Sequence, residues 1–220
     1  MIENIFLLLQ NYGYVFFQGL IGTLMLAAVT VFFGTIFGAG FAVIKLSTHK
    51  WVQIVSTIYV EVIRGTPLLL QLYFFWLFLP EVLPFNISDQ ACIIFALVVN
   101  SSAYVAEIIR AGIQAVDIGQ MEAAKSLGMS YWNAMRKIIF PQAIKNILPA
   151  LGNEFIMMVK ETSLASVFYI NDLMTSYQVI KAATFKPIEP LIIVGVIYLV
   201  VTFSLSKVVK YMERSLSVSD

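Results

Sequence analysis

The chain has 220 residues, of which 60% are hydrophobic and only 12% charged, against about 25% charged in an average soluble domain. That balance marks an integral membrane protein, and a net charge of +1 with no basic tail gives nucleic acid nothing to bind. The single cysteine, Cys92, lies in an apolar run, so an internal disulfide and a CxxC motif are both excluded. The single histidine, His49, stands beside Lys50 and reads as a solvated loop residue; with so few His and Cys, no metal site is expected. No GxxxxGK[ST] occurs, so the chain cannot cradle ATP phosphates itself, and no cofactor is expected in it.

Taken in order, Ile2, Ile5, Phe6 and Leu9 recur at helical spacing without a basic flank, which predicts an interfacial helix rather than a signal peptide. Residues 19–44 contain no charge and suffice for a first span of the roughly 20 residues a bilayer needs. Gly34 and Gly38 within it have the GxxxG spacing that lets a neighbouring helix lie close. A second span, 52–79, is interrupted by Glu61, Arg64, Gly65 and Pro67, and Pro80, Pro84 and Asn86 mark a turn after it. The third, 89–111, has Asn100, Ser101 and Ser102 at its middle.

A loop follows, about 112–147, with the punctuation of two short helices. Asp117 and Gln120 read as a capping box opening a helix over 118–127, and Gly128 is placed to close it in a left-handed conformation. Ser130 caps a second helix carrying Trp132, Met135, Ile138 and Ile139, expected to stop before Pro141. A fourth span over 150–171 is interrupted by Glu154, Lys160 and Glu161. Pro187 and Pro190 lead into a fifth, 191–209. The reading is all-α, one polytopic domain over 1–220 with no internal repeat.

Five spans put the termini on opposite sides. With the N-terminus outside, the cytosolic segments hold Lys45, Lys50, Arg110, Lys125, Arg136, Lys137, Lys145, Lys207, Lys210 and Arg214, and the external ones only Lys181 and Lys186. Ten against two puts the C-terminus and the 112–147 loop in the cytosol.

Charges within spans cost about 2.5–3.5 kcal/mol each on insertion scales, so they demand partners or a purpose. Glu61 with Arg64, and Glu107 with Arg110, have the i, i+3 spacing of a local pair. Glu154, near the cytosolic mouth, is either a gate or solvated. Arg64 to Pro67, Asn100 to Ser102 and Lys160 to Ser163 fall at similar depths. This predicts a midplane site for a zwitterion, lined by Glu61, Arg64, Thr66, Asn100, Ser102, Glu161 and Ser163, with a polar packing cluster as the competing reading. If Arg64 takes the ligand carboxylate, a spare acid favours cargo with a cationic side chain.

Glu122-Ala123-Ala124, Gly128, Ile138 and Pro141 resemble the EAA loop of ABC-importer membrane subunits, with Phe140 where that pattern has Leu. Glu61 to Pro67 (EVIRGTP) and Tyr104 to Ile113 (YVAEIIRAGI) resemble the polar amino-acid permease branch of the type I importers, and the likeness covers about residues 15–210. The resemblance implies a permease of a prokaryotic inner membrane, not itself an enzyme. It works with a second permease subunit, ABC ATPase subunits docked on the Glu122 loop, and an extracytoplasmic amino-acid-binding protein. Coupling would rest on Glu122, Ala123, Ala124, Gly128 and Pro141. The main rival is an ion-gradient-driven secondary transporter using Glu61 or Glu161 as proton carrier. An intramembrane hydrolase lacks a histidine base within a span, and a passive channel or scaffold would show conductance or assembly without ATP coupling.

Overall fold

The computed structural model describes residues 2–45 and 50–217, and every regular element in them is helical. His49, expected in a loop, lies outside the described residues.

Helix α1 runs from Ile2 to Lys45 without interruption. At 1.5 Å per residue it is about 66 Å long, twice the bilayer core. The expected separate interfacial helix is therefore its first turns. Leu8 and Phe16 bury themselves with Leu173, Ile180, Ile193 and Val194, with Ile5 packed against that cluster, whereas Ile2, Phe6 and Leu9 of the expected interfacial face stay exposed. Asn4 ties this end down, donating to Glu189 Oε1 at 3.0 Å and accepting from Lys186 Nζ at 2.9 Å.

Further along α1, Gly19, Thr23, Ala27, Thr30, Gly34 and Gly38 form a buried stripe of small residues. A side-chain carbon at Gly34 would stand 2.7 Å from Ser101 Oγ, and one at Gly38 2.7 Å from the Ser102 carbonyl oxygen. The spacing noted in the sequence is thus a helix contact, made with α4 (Asp89–Gln114). Helix α4 is the centre of the bundle. It packs on α1, on α2 (Lys50–Arg64), on α3 (Leu68–Val82) and on α7 (Phe140–Glu161), and it buries Cys92.

The expected second span is two helices. Pro67 is extended, with φ −62° and ψ 136°, and the axes of α2 and α3 meet at 108° across the break. Helix α3 passes through Pro80 to Val82, and Ser88 then caps α4 by accepting from the Ala91 amide at 3.3 Å.

Asp117 opens α5 (Ile118–Ser126), accepting from the Gly119 amide at 2.6 Å, though among the described residues Gln120 makes no return bond to complete a box. Gly128, at φ 81°, closes it: its amide bonds Lys125 O at 2.9 Å and that of Met129 bonds Ala124 O at 3.1 Å. Those two bonds are a Schellman motif, and only a residue tolerant of positive φ completes one cheaply. Helix α6 (Tyr131–Ala134), capped by Ser130, does not stop before Pro141 as expected. The chain widens into a π turn over Met135–Ile139, in which the Phe140 amide bonds Met135 O, and continues into α7. Pro141 falls in the first turn of α7, directly after the widened turn.

Helix α7 ends at Glu161 and tightens into a 3₁₀ segment, Thr162–Phe168, closed by Tyr169 at φ 53°. The fourth expected span thus begins earlier than 150 and is not uniform. Helix α8 (Leu173–Thr184) was not anticipated. Asp172 caps it, accepting from Thr175 N at 2.7 Å and Met174 N at 3.2 Å, and Leu173 N donates to Thr23 Oγ1 of α1 at 2.9 Å. Helix α9 (Ile188–Ser217) outruns the expected 191–209. Among the described residues, α1, α4 and α9 are long and apolar enough to cross a membrane, and α2 with α3 makes a fourth if the bent pair is one span.

The close approach of α1 and α4 yields a first prediction. Gly38→Ala should lower the melting temperature of the detergent-solubilised protein by the equivalent of about 1–3 kcal/mol of overpacking. Gly40→Ala, which meets nothing within 4 Å, should be neutral or mildly stabilising.

Candidate functional site: a polar hub on α4 beside a broken helix

Consecutive residues of a helix project about 100° apart, so three polar neighbours fan out toward different elements. Asn100, Ser101 and Ser102 do so, and all three are buried. Asn100 Nδ2 donates to Gln71 Oε1 on α3 at 2.9 Å, Ser101 Oγ to Glu154 Oε1 on α7 at 3.0 Å, and Ser102 Oγ lies 2.6 Å from Tyr59 Oη on α2. Tyr59 also donates to Val99 O at 2.9 Å and stacks on Phe41 of α1, the ring centroids 4.1 Å apart. One polar step of α4 thereby joins three other helices.

Glu154 is 5% exposed, so the solvated reading of it is overturned. Burial of a carboxylate is tolerated where a donor meets it, and Ser101 is that donor. Glu161 follows seven residues later, on the same face of α7, and is half-buried; Lys160 beside it is exposed. Ser163 lies in the 3₁₀ segment that packs against α4, its carbonyl accepting from Ser166 Oγ at 2.7 Å.

The break between α2 and α3 brings Thr66 into the same network. Thr66 Oγ1 donates to Val62 O at 2.9 Å and accepts from Gln71 Nε2 at 2.8 Å. Thr66, Gln71 and Asn100 form one connected group, and Ser102 with Tyr59 stands two residues along α4. Gln71 escaped the sequence reading, although an amide inside Leu-Leu-Leu-Gln-Leu-Tyr-Phe-Phe four residues after a proline was a visible signal.

Glu61 and Arg64 are both exposed on α2, and the local pair expected between them is not among the ion pairs of the described residues. The Arg64 guanidinium instead lies 5.3 Å from the centroid of the Tyr104 ring, a cation–π contact that satisfies it without a carboxylate. Glu107 is paired as expected: Arg110 grips it through both Nη2 and Nε, and Lys45 Nζ reaches it at 3.2 Å. That cluster fastens α4 to the end of α1.

On the knob formed by α5 and α6, Glu122, Ala123 and Gly128 are exposed, with Leu127 at 82% and Trp132 at 72%, and Pro141 in the first turn of α7 is exposed as well. Ala124, expected to face a partner with Ala123, is 1% exposed. Its small side chain lets α5 fold back on α6 and the π turn, so it packs the knob from within.

A family model described as binding-protein-dependent transport system inner membrane component matches residues 33–218. The chain belongs to that family. Over 203 residues it is 42% identical to the arginine transport system permease protein ArtQ of Bacillus subtilis, covering 92% of this chain and 93% of that one. It is 39% identical to the nopaline transport system permease protein NocM of Agrobacterium fabrum, covering 87% and 83% of the two chains. Among solved structures, an amino acid ABC transporter crystallised with histidines superposes with a TM-score of 0.91 at 48% identity, covering 96% of this chain and 98% of that one. An inward-facing MetNI methionine ABC transporter superposes with a TM-score of 0.79 at 19% identity, covering 94% and 98%, which shows a shared fold alone. The fold is that of a type I ABC importer permease, the family that the resemblance implied.

In this family member the Ser101–Glu154 bond joins two packed helices away from water. Ser101→Ala removes the donor and leaves the buried carboxylate unsatisfied. It should cost about 1–3 kcal/mol, read as a lowered melting temperature in detergent, while Ser204→Ala on the exposed face of α9 should not.

Proposed function

We propose that this chain is the transmembrane subunit of an ATP-driven ABC importer for polar amino acids, with basic ones as preferred cargo. The observation that carries the reading is mechanical. The knob's second helix, α6, joined to the Glu122 helix by the Gly128 turn, runs through the π turn into α7 with no loop between, and α7 bears Glu154 and Glu161 on one face. Names of relatives support amino-acid cargo: arginine for ArtQ, glutamine for GlnM of Bacillus subtilis at 38% identity, and an amino acid ABC transporter crystallised with histidines for the structural neighbour.

In this reading five spans cross a prokaryotic inner membrane, N-terminus outside and C-terminus cytosolic. Helix α7, at about 33 Å, supplies the span beyond the apolar ones. Two permease subunits, identical or homologous, form the pathway. Two ABC ATPase subunits bind ATP and magnesium and dock on the knobs, where Glu122 pairs with a basic group and Ala123 allows close contact. An extracytoplasmic binding protein delivers the amino acid. The midplane site is lined by Glu61, Arg64, Thr66, Asn100, Ser102, Glu161 and Ser163, to which the buried Glu154 is added. Arg64 receives the cargo carboxylate, and Glu161 faces its cationic side chain. Closure of the ATPases moves the knob, and alternating access opens the site to each side in turn.

The test is uptake into proteoliposomes holding the permease with its ATPase. ATP-dependent accumulation of arginine is expected. Uptake that needs an ion gradient and no ATP would establish the secondary transporter instead. Glu122→Arg should insert normally yet lose ATP-driven uptake by at least about tenfold, the scale of one charge-assisted contact. Glu161→Gln should raise the KM for arginine by about tenfold and that for glutamine much less. An unchanged arginine KM would remove Glu161 from the site.

A further inference from the structure

We propose that Gln71 is a positioning residue of the transport path, whose side-chain amide splints the break between α2 and α3 and holds Asn100 with its oxygen available to accept from the cargo. The inference rests on the reading above that Asn100 belongs to the cargo site.

In an uninterrupted helix the carbonyl of Ile63 would accept from the amide of residue 67. Residue 67 is proline and has no N–H to give. Gln71 Nε2 takes its place, donating to Ile63 O at 2.7 Å, and the same nitrogen reaches Thr66 Oγ1 at 2.8 Å and Thr66 O at 3.1 Å. Thr66 Oγ1 passes its own hydrogen to Val62 O at 2.9 Å, and the Gly65 amide bonds Glu61 O at 2.8 Å. Every carbonyl from Glu61 to Ile63 at the end of α2 is therefore satisfied, two of them by the side chains of Thr66 and Gln71. A backbone at bilayer depth can depart from a helix only where its freed groups find such partners.

The same contacts decide which way both amides face. A reversed Gln71 would set its oxygen against two carbonyl oxygens, so the nitrogen must point into the break. Gln71 Oε1 is then an acceptor, and it takes Asn100 Nδ2 at 2.9 Å. Asn100 is oriented in turn, and its Oδ1 is left as a buried acceptor with no hydrogen-bond partner among the described residues, on a residue only 3% exposed. An ammonium or guanidinium carries donors for that oxygen. Gln71, itself 5% exposed, acts on the cargo only through Asn100 and the shape of the break.

Two duties in one side chain can be separated by experiment. In reconstituted permease–ATPase complexes, Gln71→Met should raise the KM for basic amino-acid uptake about tenfold, lower Vmax less than threefold, and lower the melting temperature. Pro67→Ala in the Gln71→Met background returns a backbone N–H to Ile63 O. It should restore the melting temperature and leave KM high, because Asn100 is still unheld. In an Asn100→Leu background, Gln71→Met should not raise KM further. A wild-type KM in Gln71→Met, recovery of KM together with stability in the double variant, or additive effects with Asn100→Leu would each overturn the assignment. Should Gln71→Met fail to assemble, the double variant with Pro67→Ala carries the same KM expectation. Absence of ATP-dependent uptake by the wild-type complex would instead overturn the transport reading beneath it.

Discussion

A polar side chain among lipid-facing helices has to find its partner inside the protein, and α4 is built around that requirement. Asn100, Ser101 and Ser102 are consecutive, so no single neighbour can satisfy them, and they reach α3, α7 and α2 in turn. Hydrogen bonds between membrane helices are individually modest, averaging about 0.6 kcal/mol. Their value here is directional. Apolar packing alone would let α4 rotate between near-equivalent positions, and three bonds pointing different ways allow one.

The approach of α1 follows from the same need. Gly34 sits directly against Ser101, where a side chain would press on the hydroxyl that bonds Glu154, and Gly38 sits against the Ser102 carbonyl and Val105, where one would push the helices apart. The small-residue stripe of α1 and the polar step of α4 are therefore two halves of one contact. Lys45 and Arg110 on Glu107 close that interface at its other end, where the side chains retain some contact with water. The α2–α3 break is held from the same centre, through Gln71.

Much of this could be read from residues alone. The charge-free length of α1, the Gly34–Gly38 spacing, the polar middle of α4, the cap at Asp117 and the left-handed close at Gly128 are local patterns with local causes, and the structure has them. What escaped depends on distant partners. The N-terminal turns look like a separate helix until α1 is seen to run unbroken from Ile2 and to pack Leu8 against α8 and α9. Glu61 and Arg64 look like a pair because spacing is visible and Tyr104, forty residues away, is not. Glu154 looks solvated until Ser101 is found opposite. Pro141 looks like a helix end because proline normally is one. The π turn that accommodates it has no sequence mark, and neither does the packing that buries Ala124. Gln71 is a different case: its neighbours are so apolar that one amide hardly changes the average, yet that amide replaces the hydrogen bond that Pro67 cannot make.

The π turn at Met135–Ile139 also sets a phase. A turn closed five residues back instead of four holds one residue more than the regular spiral, which advances everything beyond it by about 100° around the axis. The azimuth of the α5–α6 knob relative to the carboxylates of α7 is thus written in a residue count. Shortening that turn by one would leave both ends folded and swing the knob about a quarter-circle away from its present heading, like a crank refitted on the wrong spline.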